Sequence, residues 1–153
     1  MKKTVSPSEV KGRIKAPASK SMTQRAIAAA LLSEGETTVL NPSFCNDSLA
    51  AMGLAEGLGA SVRRSSDELK ITGGKRLRMD KLDCGESGLA IRMFSPIAAL
   101  QDGEITITGT GSLKTRPMTM IEDALRQFGV QCNTNNGLLP LTIRGPLPGG
   151  DCE

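Results

Sequence analysis

Residues 18–39, ASKSMTQRAIAAALLSEGETTV, and residues 85–107, GESGLAIRMFSPIAALQDGEITI, are two copies of one sequence pattern. In each copy a short serine-bearing turn leads into an apolar helical stretch, and a Gly-Glu pair then precedes a strand-like segment. The similarity extends further, because LGA at 58–60 aligns with FGV at 128–130. This repeat predicts that the chain contains two copies of one supersecondary unit.

Helical and strand-like periodicities alternate within each copy. The first copy predicts helices near 21–32 and 47–58, with strands at 36–40, 61–64 and 68–72. The second predicts a helix over 86–100, a strand at 104–108, a helix opening at Pro117, and a hairpin of 130–134 with 141–144. Leading strands at 12–15 and near 81–82 would make each unit β-α-β-α-β-β. The predicted fold class is therefore α/β (α+β), a layered domain of repeated units.

The turn before the first helix carries an unusual set of side chains, Ser19-Lys20-Ser21, with Arg25 one turn later. One interpretation is that either Ser19 or Ser21 is the N-cap of the helix and that the lysine beside it is simply solvated. Cations near a helix N-terminus are unfavourable, however, because the helix dipole is already positive there. A bound phosphate or carboxylate would offset that cost. Since Arg92 aligns with Arg25 at the second copy, the repeat favours an anion site.

Composition excludes several classes of function. A net charge of +3, three Phe, no Trp and no Tyr give little support for nucleic-acid binding. No apolar run approaches the length of a membrane span, and the N-terminal MKKTVSP lacks the apolar core of a signal peptide. We therefore expect a cytoplasmic protein with neither a nucleic-acid nor a membrane partner.

The chain has no histidine, which removes Ser-His and Cys-His nucleophilic chemistry. Its cysteines, which are Cys45, Cys84, Cys132 and Cys152, form no C-x-x-C pair. We expect them to be reduced and to pack as ordinary apolar residues, with no zinc site. No metal, redox centre or other cofactor is expected.

Three separated segments resemble one known family. PASKSMTQRA at 17–26 resembles the PGSKSxSxRA signature of 5-enolpyruvylshikimate-3-phosphate synthase. CGESGLAIRMF at 84–94 resembles its GNSGTxxR signature, and KTRPMTMIEDALRQFGV at 114–130 resembles its RxRPMxxLxxALxxLG segment. The three segments occur in the family's order along nearly the whole chain.

The resemblance implies a carboxyvinyltransferase of the shikimate pathway, in aromatic amino acid and chorismate biosynthesis. Such enzymes transfer the enolpyruvyl group of phosphoenolpyruvate to the 5-hydroxyl of shikimate 3-phosphate and release phosphate. The family fold has two domains of three β-α-β-α-β-β units each. By this resemblance residues 1–15 are a strand segment belonging to the other domain, 16–80 the first unit and 81–153 the second. The chain would be the N-terminal portion, inactive alone, and its partner would be the remainder of the enzyme.

The resemblance also implies roles by position. Lys20 would be catalytic and would contact both substrates. Shikimate 3-phosphate would be bound by Ser21 and Arg25, and phosphoenolpyruvate by Gly88, Arg92 and Arg116. Asp47 is a possible further site residue. Two positions depart from the family pattern. Glu86 replaces the usual asparagine and is expected to point away or to pair with a cation, and Leu89 replaces a threonine.

Two alternatives remain open. A related enolpyruvyl transferase acts on UDP-N-acetylglucosamine. It usually has asparagine where this chain has Ser21, and a loop cysteine near 113–115, where this chain has Leu-Lys-Thr. Both differences favour the shikimate substrate. The second alternative is a non-catalytic anion-binding fragment.

Overall fold

The computed structural model describes residues 2–74 and 78–151. Helices and strands alternate along the chain, as the periodicities predict. The helices are α1 (Lys20–Leu32), α2 (Asn46–Gly57), α3 (Gly88–Ala98) and α4 (Thr119–Gln127), and a short 3-10 helix spans Gly111–Thr115. The strands are β1 (Glu36–Leu40), β2 (Ser61–Arg64), β3 (Glu68–Thr72), β4 (Lys81–Asp83), β5 (Gly103–Thr108), β6 (Gln131–Asn135) and β7 (Leu138–Gly145).

The two sequence copies form two similar sheets. The first sheet has the order β1-β3-β2, and its neighbouring strands are antiparallel. The second has the order β4-β5-β7-β6, in which β5, β7 and β6 repeat the arrangement of β1, β3 and β2. Strand β4 is added parallel to β5. The duplication predicted from the sequence is therefore visible as a duplicated topology.

The first unit differs from the prediction at its leading strand. Residues 12–15 form no strand in this structure, and residues 2–19 have no helix or strand. In the second unit β4 occupies the edge beside β5. Within residues 2–74 and 78–151, no strand pairs with the corresponding edge of β1. A single extended segment without a paired neighbour gains no interstrand hydrogen bonds, so residues 12–15 do not become a strand here.

Two helix starts also differ from prediction. The third helix begins at Gly88 rather than at 86, because the Ser87 hydroxyl accepts a hydrogen bond from the Ala90 N–H and so acts as the cap. The fourth begins at Thr119 rather than at Pro117. There the Met118 N–H donates to the Gly137 carbonyl at 2.8 Å, which ties the chain to the β6–β7 turn before the helix can begin.

Helices α1 and α3 pack side by side within one apolar core. Ile27 of α1 and Ile91 and Phe94 of α3 are fully buried. A buried hydrogen bond joins the N-cap of α3 to the N-terminal half of α1, since the Ser87 hydroxyl donates to Gln24 Oε1 at 3.0 Å. The core therefore places the N-termini of both helices at the same end of the molecule, which sets the position of the site.

Candidate functional site

The N-terminus of α1 carries the first cation of the site. Ser19 is the N-cap, and its hydroxyl accepts from the Met22 N–H at 3.3 Å. Lys20 is the first helical residue, and Ser21 beside it is half-buried. The sequence left open whether Ser19 or Ser21 caps the helix, and the structure shows that Ser19 does. The Ser21 hydroxyl is thus not used as the cap.

Lys20 forms an ion pair with the first turn of α2. Its Nζ lies 2.8 Å from Asp47 Oδ2. The hydrogen bond to Asp47, together with the negative charge of that carboxylate, raises the pKa of Lys20. The ammonium group therefore remains protonated throughout the neutral range. The carboxylate is also well placed near the N-terminus of α2, where the helix dipole favours negative charge.

Two guanidinium groups meet over Gly88 at the N-terminus of α3. Arg92 Nη1 donates to the Gly88 carbonyl at 2.8 Å. A Cβ added to Gly88 would lie 2.8 Å from Arg116 Nη1 and 3.1 Å from Arg92 Nη1. Among the residues that the structure describes, neither arginine has a carboxylate within ion-pair distance. Two exposed, uncompensated positive charges at a helix N-terminus form a favourable environment for an anion.

These groups line one open depression of about 510 Å³. Its lining residues are Lys20, Ser21, Asp47, Glu86, Gly88, Leu89, Arg92 and Arg116. Three cations and two carboxylates make the surface positive overall. The first unit contributes its lysine and serine, and the second contributes both arginines, so the depression lies between the repeats.

The structure brings together six of the seven residues predicted from the sequence. Arg25 is the exception, since it is exposed on α1 but does not line the depression. It lies one turn beyond Ser21, which places its backbone farther from the helix end than Lys20. Its predicted role in binding shikimate 3-phosphate stays a prediction.

Glu86 is the residue for which the sequence expectation was wrong. It neither points away nor pairs with a cation, because it lines the depression and its Oε2 accepts from the Ser112 N–H at 3.0 Å. The backbone of the 3-10 helix thus supplies a hydrogen-bond donor to this carboxylate. No sequence signal linked Glu86 to Ser112, since 26 positions separate them.

A second cavity, of about 280 Å³, lies between α3 and α4. Apart from Arg92 its lining is apolar: Pro96, Met120, Ile121, Ala124, Leu125, Phe128 and Leu147. This lining offers one cation and almost no hydrogen-bond donors, so the cavity is poorly suited to a phosphorylated ligand. The depression over Gly88 is the better candidate for the substrate chemistry predicted from the sequence.

The cysteines divide into two kinds. Cys84 and Cys132 are buried packing residues, as expected, and burial raises the pKa of Cys84 to about 12 and that of Cys132 to about 11. Cys45, at the start of α2, is exposed, which contradicts the expectation of simple packing. Desolvation acts to raise its pKa, but hydrogen bonds with Ser43, Ser48 and nearby backbone outweigh that effect and lower it. Cys152 lies outside the described residues.

The described part of the chain contains no group of three or more His, Cys, Asp or Glu side chains that could hold a metal ion. A separate search of the same residues finds no helix with the length and hydropathy needed to cross a bilayer.

Comparison with known proteins gives one consistent result. Residues 5–153 match the family described as EPSP synthase (3-phosphoshikimate 1-carboxyvinyltransferase). The curated 3-phosphoshikimate 1-carboxyvinyltransferase of Methanocorpusculum labreanum is 41% identical over 155 residues, covering 99% of this chain and 37% of that protein. The protein of the same name from Halobacterium salinarum is 40% identical, covering 98% of this chain and 36% of its own length. The chain thus spans little more than a third of these relatives.

Solved structures agree with the sequence matches. EPSP synthase from Acinetobacter baumannii superimposes with a TM-score of 0.81 at 30% identity, over 88% of this chain and 32% of that one. The enolpyruvyl transferase NikO from Streptomyces tendae gives a TM-score of 0.58 at 17% identity, over 85% of this chain and 30% of that one, which shows a shared fold alone. The predicted fold class, a repeated α/β arrangement of the enolpyruvyl-transferase type, is confirmed.

Proposed function

The chain belongs to the EPSP synthase (3-phosphoshikimate 1-carboxyvinyltransferase) family, and from that premise we propose that it is the N-terminal part of such a transferase. Its depression would bind phosphoenolpyruvate and shikimate 3-phosphate, and the enolpyruvyl group would pass to the 5-hydroxyl with release of phosphate. Residues 1–15 would belong to the second domain of the complete enzyme, and the rest of that domain and a third unit would complete it. We place that enzyme in the cytoplasm.

The observation that carries this proposal is the pair of guanidinium groups over Gly88. Phosphoenolpyruvate has a phosphate and a carboxylate, and arginine binds both groups with two parallel hydrogen bonds. Arg92 and Arg116 approach the same point from a helix and from a loop, so they can contact different oxygens of one ligand. Because Gly88 has no Cβ, both guanidinium groups can come this close to the start of α3.

Lys20 is the residue best placed to contact both substrates. It lines the same depression as Arg92 and Arg116 but comes from the first unit, and its raised pKa keeps it cationic. In this proposal Asp47 holds the ammonium group in place before ligand binds. Ser21 offers a hydroxyl to the second substrate, and Arg25 completes that subsite from the next turn of α1.

Calorimetry with phosphoenolpyruvate, shikimate 3-phosphate and UDP-N-acetylglucosamine tests the proposal. We expect weak binding of the first two ligands, weaker still at high salt because exposed charges are screened, and no binding of the third. Arg92→Ala should weaken phosphoenolpyruvate binding roughly tenfold, the value of one charge-assisted interaction. Arg144→Ala is the matched control, since Arg144 is exposed on β7 near the opposite end of α3.

Each alternative has its own outcome in this experiment. Preferential binding of UDP-N-acetylglucosamine would favour the other transferase. Equal binding of phosphate and every phosphorylated ligand would indicate a general anion-binding fragment instead.

A further inference from the structure

The carboxylate of Glu86 is an unexpected group in a depression that otherwise favours anions. It lies just before the Ser87 cap of α3, on the same surface as Lys20, Arg92 and Arg116. Among the described residues it makes no ion pair. Its one recorded hydrogen bond is accepted from the Ser112 N–H. A side chain with this placement has two separable effects on a bound anion, one through its hydrogen bond and one through its charge.

The hydrogen bond connects α3 to the 3-10 helix Gly111–Thr115. The first N–H groups of any such helix have no partner within it, and the Glu86 carboxylate satisfies one of them. The contact is close, since a Cβ on Gly111 would overlap the Glu86 carboxyl group. Gly111 also has φ +51°, a conformation that glycine adopts easily. The backbone at 111–112 is therefore shaped to receive this carboxylate.

Arg116 follows directly from the 3-10 helix. Its N–H donates to the Leu113 carbonyl at 3.2 Å, and its Nη2 lies 3.4 Å from the Ser112 hydroxyl. Leu113 is fully buried and anchors the 3-10 helix in the core. On the side of the depression, the hydrogen bond between Ser112 and Glu86 fixes the same helix. The position of the Arg116 guanidinium over Gly88 thus depends on the same segment that Glu86 contacts.

The charge of Glu86 acts in the opposite direction. A carboxylate on the wall of the depression repels any phosphate or carboxylate that binds there. Because the site is open and exposed, this repulsion is screened and amounts to a small factor in affinity rather than exclusion.

We propose that Glu86 is a positioning and affinity-setting residue: its hydrogen bond to Ser112 fixes the 3-10 helix that presents Arg116, while its negative charge lowers the affinity of the depression for phosphoenolpyruvate. This inference rests on the proposed function. It predicts that the two effects separate in different substitutions of the same residue.

Two substitutions test it by titration of the chain with phosphoenolpyruvate. Glu86→Gln keeps a carbonyl acceptor for the Ser112 N–H but removes the charge, so it should bind phosphoenolpyruvate about threefold more tightly than wild type. Glu86→Ala is equally neutral but loses the acceptor, so it should bind about fivefold more weakly than Glu86→Gln. Glu34→Gln removes one carboxylate at the far end of α1 and should leave affinity unchanged.

An Arg116→Ala background tests whether Glu86 acts through that arginine. There the Gln and Ala variants at position 86 should bind phosphoenolpyruvate equally, because the group that the hydrogen bond positions is gone. Equal binding of the two variants in the presence of Arg116 would overturn the positioning effect. Weaker binding by Glu86→Gln than by wild type would overturn the effect of charge.

Amide hydrogen exchange separates this inference from the proposed function. The Ser112 N–H should exchange about tenfold faster in Glu86→Ala than in wild type, and little faster in Glu86→Gln. If the wild-type chain binds no phosphoenolpyruvate, the proposed function fails together with the effect on affinity. The exchange rates then still decide whether Glu86 fixes the 3-10 helix. Equal rates in wild type, Glu86→Gln and Glu86→Ala would overturn this positioning role.

Discussion

At the scale of single residues, Gly88 shows how the absence of a side chain shapes a charged site. Both guanidinium groups extend over its Cα, into space that a Cβ would occupy. Glycine also leaves the N-terminal backbone of α3 accessible from the depression. Under the proposed function this position would serve binding more than folding, because alanine would be the better helix former.

Gly88→Ala should weaken phosphoenolpyruvate binding roughly tenfold, because at least one guanidinium must move and lose a charge-assisted hydrogen bond. Stability should fall little, since the groups that move are the ends of flexible side chains. Calorimetry and a urea titration measure both effects. Gly53→Ala is the control: no atom lies within 4 Å of its added Cβ in α2, so it should leave binding unchanged. Unchanged binding in Gly88→Ala would contradict the site geometry.

Cys45 supplies a second prediction at this scale. A lowered pKa increases the thiolate fraction at a given pH, and only the thiolate is a strong nucleophile. At pH 8 iodoacetamide should therefore alkylate Cys45 at least about tenfold faster than Cys84 or Cys132, whose pKa values are raised by burial. Peptide mapping by mass spectrometry measures the three rates, and urea should remove the difference. Comparable rates in the native protein would contradict the described burial.

At the scale of elements, α4 and the loop before it carry both buried and exposed side chains. In α4, Ile121 and Leu125 pack into the core, whereas Met120 is 62% exposed. The preceding loop carries Arg116, which is exposed. The same short stretch of chain therefore separates residues that hold the fold from residues available to ligand.

Leu125→Ala should lower the free energy of unfolding by about 2–5 kcal/mol, the usual cost of a large-to-small change in a core. Because Leu125 also lines the open cavity beside α4, the lower part of that range is expected. Arg116→Ala and the control Met120→Ala should each lower the free energy of unfolding by about 0.5 kcal/mol or less, because both side chains are exposed. Chemical denaturation gives these values. A larger loss of stability in Arg116→Ala than in Leu125→Ala would contradict the assignment of Leu125 to the core and Arg116 to the surface.

At the scale of the whole molecule, the depression is open to solvent on one side. The carboxyvinyl transfer needs an addition and an elimination, and both steps need positioned acids and bases. Lys20 is the one such candidate that the sequence identified in this chain. Closure around well-oriented substrates can lower the activation barrier by about 7–11 kcal/mol, and an open surface lacks that contribution.

The isolated chain should consequently form no measurable 5-enolpyruvylshikimate 3-phosphate from phosphoenolpyruvate and shikimate 3-phosphate. A phosphate-release assay measures this. Adding the remaining two thirds of a relative's enzyme in trans should restore some turnover where the parts dock, and Lys20→Ala should abolish that restored activity. Phosphate release by the chain alone, lost in Lys20→Ala, would show that the chemistry is complete within these residues.

Much of the fold follows from the sequence because the signals are local. The spacing of apolar residues predicted all four helices, and the hairpin strands 61–64 and 68–72 were predicted to the residue. The start of α3 is set by the neighbouring Ser87 cap, but the other two boundaries that failed depend on partners distant in sequence. Helix α4 begins late because Met118 bonds to Gly137, and residues 12–15 form no strand because a strand needs a neighbour.

The sequence by itself indicated the repeat, the family and six residues of the depression, because the repeat is visible in the residue pattern and three separated segments resemble the motifs of that family. Only the tertiary structure decided how those residues meet. The packing of α1 against α3 placed Lys20 and Arg92 in one depression, and the loop before α4 brought Arg116 over Gly88. The same packing turned Glu86 toward Ser112 and left Arg25 outside. Contacts between segments far apart in the chain depend on how the whole core packs, and no local pattern records them.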